Sequence, residues 1–469
     1  MKRTFYIAVI PLLLIINVTA RAQTNKGTEF WTAFMSHNSG VTDPVKGASM
    51  ILYITSDIST IGSVEIGGVL LQNFTVTANQ VTFIDIPVSA YLQNAGTYPN
   101  SGIHITSAKP IAVYAHIYAS AVSGATLLLP VNSMGKEYMS LNYTQHSNAD
   151  SVRNPSYSQF AVIATEDNTT VSITPTAALL DNHPANTNFT LTLNKGVVYQ
   201  GLSLTDLTGT KIQSIGNSKG TCKKIAVFSG STKIDIGCSP SAITSDNLFQ
   251  QVYPTSTWGK NYIAAPLRSR PFDVYRIVLS DPNTNVTLNG TALNPTTLIS
   301  RLYYQFQSTQ TNVISADKPI QVVQYSPSQN QRINCTVGTG DIGDPEMIYL
   351  SPIEQGLTHV TLYATGYYKI VNSYINVVIP TAGVSSFTVD GMNYASSFVP
   401  ISSTSAYSYA QISVSSGPQA TGNTGSVTSG THTLDATMPF NAIVYGFGNA
   451  ESYGYAAGAN LADQTQYVT

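Results

Sequence analysis

The densest carboxylate run in the chain is Asp341-Ile342-Gly343-Asp344-Pro345-Glu346. Carboxylates at that spacing suit two kinds of chemistry. Asp341, Asp344 and Glu346 offer hard oxygen ligands of the kind Ca²⁺ takes. Two carboxyls held across a cleft would instead make the acid and base of a glycosidase, and Glu29 adds a further carboxylate. Asp and Pro also build turns with no ligand at all. The stretch therefore reads first as a turn at a junction, second as a calcium site of Asp341, Asp344 and Glu346, and last as a catalytic pair. One nucleophile-elbow spelling occurs, Gly216-Asn217-Ser218-Lys219-Gly220. That chemistry needs a strand-to-helix turn above a parallel sheet, and here Gly and Asn supply an ordinary turn ahead of a repeated strand. The seven histidines are scattered, and His104 and His116, within one predicted strand hairpin, lack a third ligand. No zinc or phosphate-loop spelling occurs. The expectation is no catalytic residue and no cofactor beyond calcium.

Three cysteines are present, Cys222, Cys238 and Cys335. Gly230 lies midway between the first two, within Ser229-Gly230-Ser231. A hairpin with its tip there would set Cys222 and Cys238 opposite each other, at the Cα separation a disulfide needs. The pattern predicts a Cys222–Cys238 bridge in an oxidising compartment, with Cys335 a buried free thiol.

The elements that must position these residues recur. Lys109-Pro110-Ile111-Ala112-Val113-Tyr114 returns as Lys224-Ile225-Ala226-Val227-Phe228, as Lys318-Pro319-Ile320-Gln321-Val322-Val323, and loosely as Met438-Pro439-Phe440-Asn441-Ala442-Ile443. A Gly-led opener precedes each: Gly27-Thr28-Glu29-Phe30-Trp31, Gly135-Lys136-Glu137-Tyr138, Gly259-Lys260-Asn261-Tyr262 and Gly356-Leu357-Thr358-His359. Pro130, Pro254 and Pro352 stand shortly before three of them. Alternating strands end in Gly67-Gly68, Asn289-Gly290 and Asp390-Gly391, the residue pairs that type I′ hairpin turns demand. About seven short strands per unit at such spacing predict an all-β chain of four sandwich-like units. The borders fall at 1–22 (signal peptide), 23–134, 135–258, 259–355 and 356–469, in a rod or a pseudo-four-fold closed body. Glu451-Ser452-Tyr453-Gly454-Tyr455 reads as the start of a fifth opener, and residues 415–432 as a polar loop.

Lys2-Arg3, an apolar run to Val18 and Ala20-Arg21-Ala22 spell a secretory signal peptide. Its removal takes away three cations and shifts the formal net charge from −2 to −5. With 10% charged residues and no basic block, the chain is not built for nucleic acid. No later run is long enough to span a membrane. The 28 Tyr against 2 Trp suit a recognition surface, because Tyr offers large amphipathic contact at small entropic cost.

Five motifs occur in order: Gly27-Thr28-Glu29-Phe30-Trp31 with Ala33-Phe34-Met35; Ser245-Asp246-Asn247-Leu248; Trp258-Gly259-Lys260; Gly343-Asp344-Pro345-Glu346-Met347; and Tyr445-Gly446-Phe447-Gly448 with Glu451-Ser452-Tyr453-Gly454-Tyr455. Together they resemble the IgGFc-binding protein N-terminal domain family. That family includes part of a mucus protein and many secreted proteins of Bacteroidetes-type bacteria. The resemblance implies a secreted or cell-surface recognition or adhesion module rather than an enzyme. Its expected partner is a glycoprotein, mucin or polysaccharide, with immunoglobulin Fc suggested only by the family name. The alternatives are a carboxylate-dependent hydrolase using Glu29, Asp344 or Glu346, and a structural matrix component.

Overall fold

The computed structural model describes residues 25–40, 47–119, 121–148, 155–238, 244–366, 369–414 and 430–461. The predicted signal peptide and most of the predicted 415–432 loop lie outside them. The chain is all-β, and helix among the described residues is limited to short 3-10 turns. Four long strand paths organise it: Ile103–Ala119, Lys211–Ile215 continued by Ile225–Ile234, Asn312–Ser326 and Gly430–Gly448. Each runs through two packed sheets. Its first part pairs with the Gly-led opening strand, and its second part pairs with an apolar strand such as Ser49–Thr55 or Asp273–Leu279.

The repeated Lys-Pro motif marks the corner between those sheets. Glu29 pairs with Thr106 but Gly27 with Ile111, so residues 107–110 bulge out of register. The same shift separates Asn261–Ser315 from Gly259–Ile320, and His359–Asp435 from Leu357–Phe440. Pro has no N–H to offer a ladder and is tolerated at such a bulge. In the second repeat the strand breaks outright at the corner, and Asn217 and Gly220 close the tight turn there by mutual backbone hydrogen bonds of 3.0 and 3.1 Å.

The opening glycines are joints. A Cβ on Gly27, Gly135 or Gly259 would stand 2.2–2.5 Å from Cβ of Pro130, Pro254 or Pro352, the proline that leads into the following repeat. Only glycine allows that approach. Cores run across these seams. One cluster joins Phe160 and Val227 to Val274, Tyr325 and Met347, and another joins Tyr53 and Tyr114 to Leu362, Val444 and Tyr455. Strand Gly96–Tyr98, ahead of the first long strand, pairs instead with Val198–Ser203.

Between the second and third repeats sits Arg276, fully buried, with its guanidinium 4.4 and 4.3 Å from the ring centres of Tyr143 and Tyr303. It donates to Asn142 O (3.0 Å), Thr208 Oγ1 (2.8 Å), Gln305 Oε1 (2.9 Å) and the Asp206 carboxylate (2.8 Å). The body is closed. Lys26 bonds Thr361 and pairs with Asp57, and Thr55 meets Thr431, so the first repeat packs on the fourth.

Two expectations are corrected. Gly230 is not a hairpin tip: strand Ile225–Ile234 runs straight through it. Leu248 O lies 1.7 Å from where its Cβ would be, which is why glycine stands there. Cys222 and Cys238 therefore lie toward opposite ends of one strand path, beyond disulfide reach at about 3.3 Å of rise per residue. The bridge is Cys238–Cys335 (Cα–Cα 5.1 Å), joining loops of the second and third repeats, and Cys222 is the free thiol among the described residues. Second, Glu451–Ala456 is not a fifth opener but the strand that returns along the fourth long strand.

Non-reducing peptide mapping should recover a Cys238–Cys335 peptide. Cys335→Ser should lower stability by about 2–4 kcal/mol in urea unfolding, since the bridge closes a loop of 97 residues. Arg276→Ala should cost about 3 kcal/mol or more, because Asp206 then loses its buried partner.

Candidate functional site

Each long path is followed by a return strand: Val122–Leu127, Asp246–Gln251, Glu346–Tyr349 and Glu451–Ala456. The four meet around a common axis. Gln250 Nε2 donates to Ala125 O (2.9 Å) and Gly454 O (2.7 Å), linking three of them, and Ser452 Oγ reaches Pro345 O (2.9 Å) beside the remaining one. All four return strands begin at the same end, and three begin with an acid. Asp246, Glu346 and Glu451 therefore collect there, with Asp344 beside them.

The four carboxyls are 0–1% exposed. Asp246 accepts from the backbone N–H groups of Ser123 and Asn247 and from Ser452 Oγ (3.0 Å). Glu451 accepts from Ala121 N (2.6 Å) and Ser123 Oγ (2.8 Å). Asp344 accepts from Thr244 Oγ1, and Glu346 from Met347 N (2.8 Å). A nearby cation is the half-buried Arg270, whose guanidinium hydrogen-bonds carbonyls of Pro327, Ser328, Ile342 and Gly343.

Burial penalises the charged forms, so these acids hold their protons unusually tightly. Burial pushes Asp344 up to about 7 and Glu451 up to about 8. Asp246 is raised well above the carboxylate range by burial and then by the charges of Asp344 and Glu451, and Glu346 is raised by burial. The cluster is a proton-loaded plug.

Of the three carboxylates read as calcium ligands, the structure brings Asp344 and Glu346 into this plug and sends Asp341 elsewhere. Asp341 forms a two-point pair with Arg332. Among the described residues no three His, Cys, Asp or Glu side chains converge as an ion-binding group. Glu29 sits 2.9 Å from His104 Nε2, and that hydrogen bond lowers its pKa. His104 has Glu65 on its other side (3.6 Å) and stacks on Trp31 at 4.2 Å. His116 lies farther along the same strand rather than across a hairpin, bonds Tyr53 Oη (2.9 Å), and is pushed down to about 3 by burial. Sequence reasoning missed Asp246 and Glu451 as partners of Asp344 and Glu346. The signal was their place in the repeat: Asp246, Glu346 and Glu451 all pair with the last residues of a long strand.

The plug predicts a stability profile with a definite sign. Each raised carboxyl keeps its proton in the folded state at pH values where the unfolded chain has released it, so the native state binds more protons from about pH 4 upward. The plug's contribution to stability should therefore fall as pH rises from about 4 through 7 to 8, most clearly above about pH 6.5, where the buried neutral histidines no longer offset it. Melting curves between pH 4.5 and 9 test this, and Asp246→Asn should flatten the slope.

A family described as IgGFc binding protein matches residues 124–446. Human IgGFc-binding protein is 23% identical over 445 residues, covering 92% of this chain but 7% of that protein, so the chain corresponds to a small part of its relative. Two solved structures align over 92% of the chain: the BSP domain of a biofilm associated protein (6% identity, 96% of that chain, TM-score 0.12) and two B repeat units of the Staphylococcus aureus collagen binding protein (10%, 99%, 0.11). At those TM-scores neither carries an argument about fold. With the greater part of its length inside the family match, this chain belongs to the IgGFc-binding protein family, a family of binding domains rather than of enzymes.

Proposed function

We propose that this chain is a secreted, non-catalytic recognition or adhesion module that holds a glycoprotein, mucin or surface polymer. The observation carrying this reading is the fate of the carboxylates a hydrolase would need. Asp344 and Glu346 are buried in the plug and out of reach of any polymer, and Glu29 is engaged by His104. A bulky substrate cannot approach a carboxyl that solvent does not reach. Family membership supports binding as the activity. The human relative is named for IgG Fc, which makes Fc one candidate partner. No helix among the described residues is long and apolar enough to cross a membrane, and the predicted leader directs the chain outside the cell.

The test is a biolayer screen of the chain from residue 23 against mucin, IgG Fc and bacterial capsule polysaccharide. Saturable binding with Kd of about 10 µM or tighter to one of them is expected, without turnover of chromogenic glycosides or casein. Hydrolysis abolished by Asp344→Asn or Glu346→Gln with an unchanged melting temperature would overturn the reading.

A further inference from the structure

The seam between the first and second repeats opens outward as a cleft of about 560 Å³, lined by Glu29, Asn132, Lys136, Glu166, Lys223 and Lys224 among others. A second cleft of about 420 Å³ lies one seam on, lined by Lys136, Glu137, Thr255, Ser256, Ser280 and Pro319 together with Lys211 and Lys224. The two are built from the same parts one repeat apart: the opening strand, the turn after the joint proline, the end of the apolar strand and the Lys-Pro corner. A third cleft of about 520 Å³ continues past Lys211 and Ser280 to Arg301. Lys136 and Lys224 line the first and second clefts, and Met139, Lys211 and Ser280 line the second and third. They form one groove.

Its charge opposes that of the chain. Lys136, Lys211, Lys223, Lys224 and Arg301 line it, on a protein whose formal net charge is −2 with its leader. Four carboxylates, Glu29, Glu137, Glu166 and Asp206, line it against those five cations; Asp206 is paired with the buried Arg276 and Glu29 is hydrogen-bonded to His104, which leaves a modest cationic excess. The Lys223 ammonium donates to Asp167 O, and Lys224 to Val131 O (3.0 Å) and Asn132 O (2.9 Å). The carbonyl acceptor positions the Lys223 charge without neutralising it. The aromatic residues lining the groove, Tyr138 and Tyr303, are 2% and 8% exposed, so no open ring face awaits a nucleobase. Thr221, Thr255 and Ser256 line the groove along with the cations.

We propose that this groove binds an anionic glycan chain, sulfated or carboxylated, laid across the first two seams. The proposal rests on the recognition reading and gives it a site and a ligand chemistry. A lone exposed lysine contributes little. A polymer that engages several in register gains from each, with strong salt dependence.

Cys222 is the free cysteine among the described residues and lines the first cleft, so a fluorophore attached there would report occupancy. The probes are dextran sulfate, polygalacturonate, neutral dextran and poly(dT). Binding of dextran sulfate, polygalacturonate or both is expected, with none of neutral dextran, and affinity should fall about ten-fold or more between 50 and 200 mM NaCl. Lys211→Glu and Lys223→Glu should each weaken binding about five-fold or more. Lys109→Glu, in the same corner motif but outside the groove, should leave it unchanged. Melting curves confirm folding, and Lys→Gln variants replace any that fail to fold. Polymer binding indifferent to both variants would overturn the groove, and poly(dT) binding as tight as that of the acidic glycans would overturn the ligand assignment. Mucin or Fc binding without acidic-polymer binding would sink this proposal while leaving the recognition reading standing. Absence of all binding would sink both.

Discussion

The meeting of the four return strands is the contact on which the rest of this structure depends. Ser123 alone hydrogen-bonds Asp246, the Glu451 carboxylate and Ser452 O, so one serine of the first repeat touches strands of the second and the fourth. A buried polar group left without its partner costs roughly 1–3 kcal/mol, and the axis gathers several such groups. Closure is therefore close to all-or-none. Either the strands arrive in register and satisfy one another, or many groups are left unpaired at once.

Steric detail at the axis agrees with this. A Cβ on Gly124 would lie 2.5 Å from Asn247 Oδ1, and one on Gly454 would lie 2.6 Å from Ile348. These glycines serve approach between strands rather than turn formation. The acid plug beside them adds a second constraint. Four carboxyls buried together disfavour ionisation, so burial and mutual repulsion favour the protonated forms at the centre.

A packed and proton-loaded centre leaves recognition to the periphery. The closed body creates seams, three of them built from the same Gly–Pro joint, while the side chains around the joint differ from seam to seam. The constant parts are those that packing requires. The variable parts are the lysines, hydroxyls and carboxylates that face water, and those set what a seam can hold. Arg276 shows the rule from the inside: its charge, stacked between two tyrosines and paired with Asp206, is spent on joining two repeats.

What the sequence by itself determined was local and repeated. The hairpin pairs Gly67-Gly68, Asn289-Gly290 and Asp390-Gly391 all adopt positive φ, from 51 to 81°. Such backbone preferences are set by neighbouring atoms and need no fold around them. The fourfold corner motif and the all-β class were legible for the same reason. Tertiary structure decided which distant segments meet. Gly230 carries the same signal as a turn glycine, yet it is glycine because a carbonyl from another strand crosses it. Cys238 found Cys335 because two loops of adjacent repeats converge, and Asp246 and Glu451 joined Asp344 and Glu346 only when the ring closed. Those pairings depend on where strands from different repeats come to rest; equivalent repeat positions marked the three acids as alike, but only the closed body brought them together.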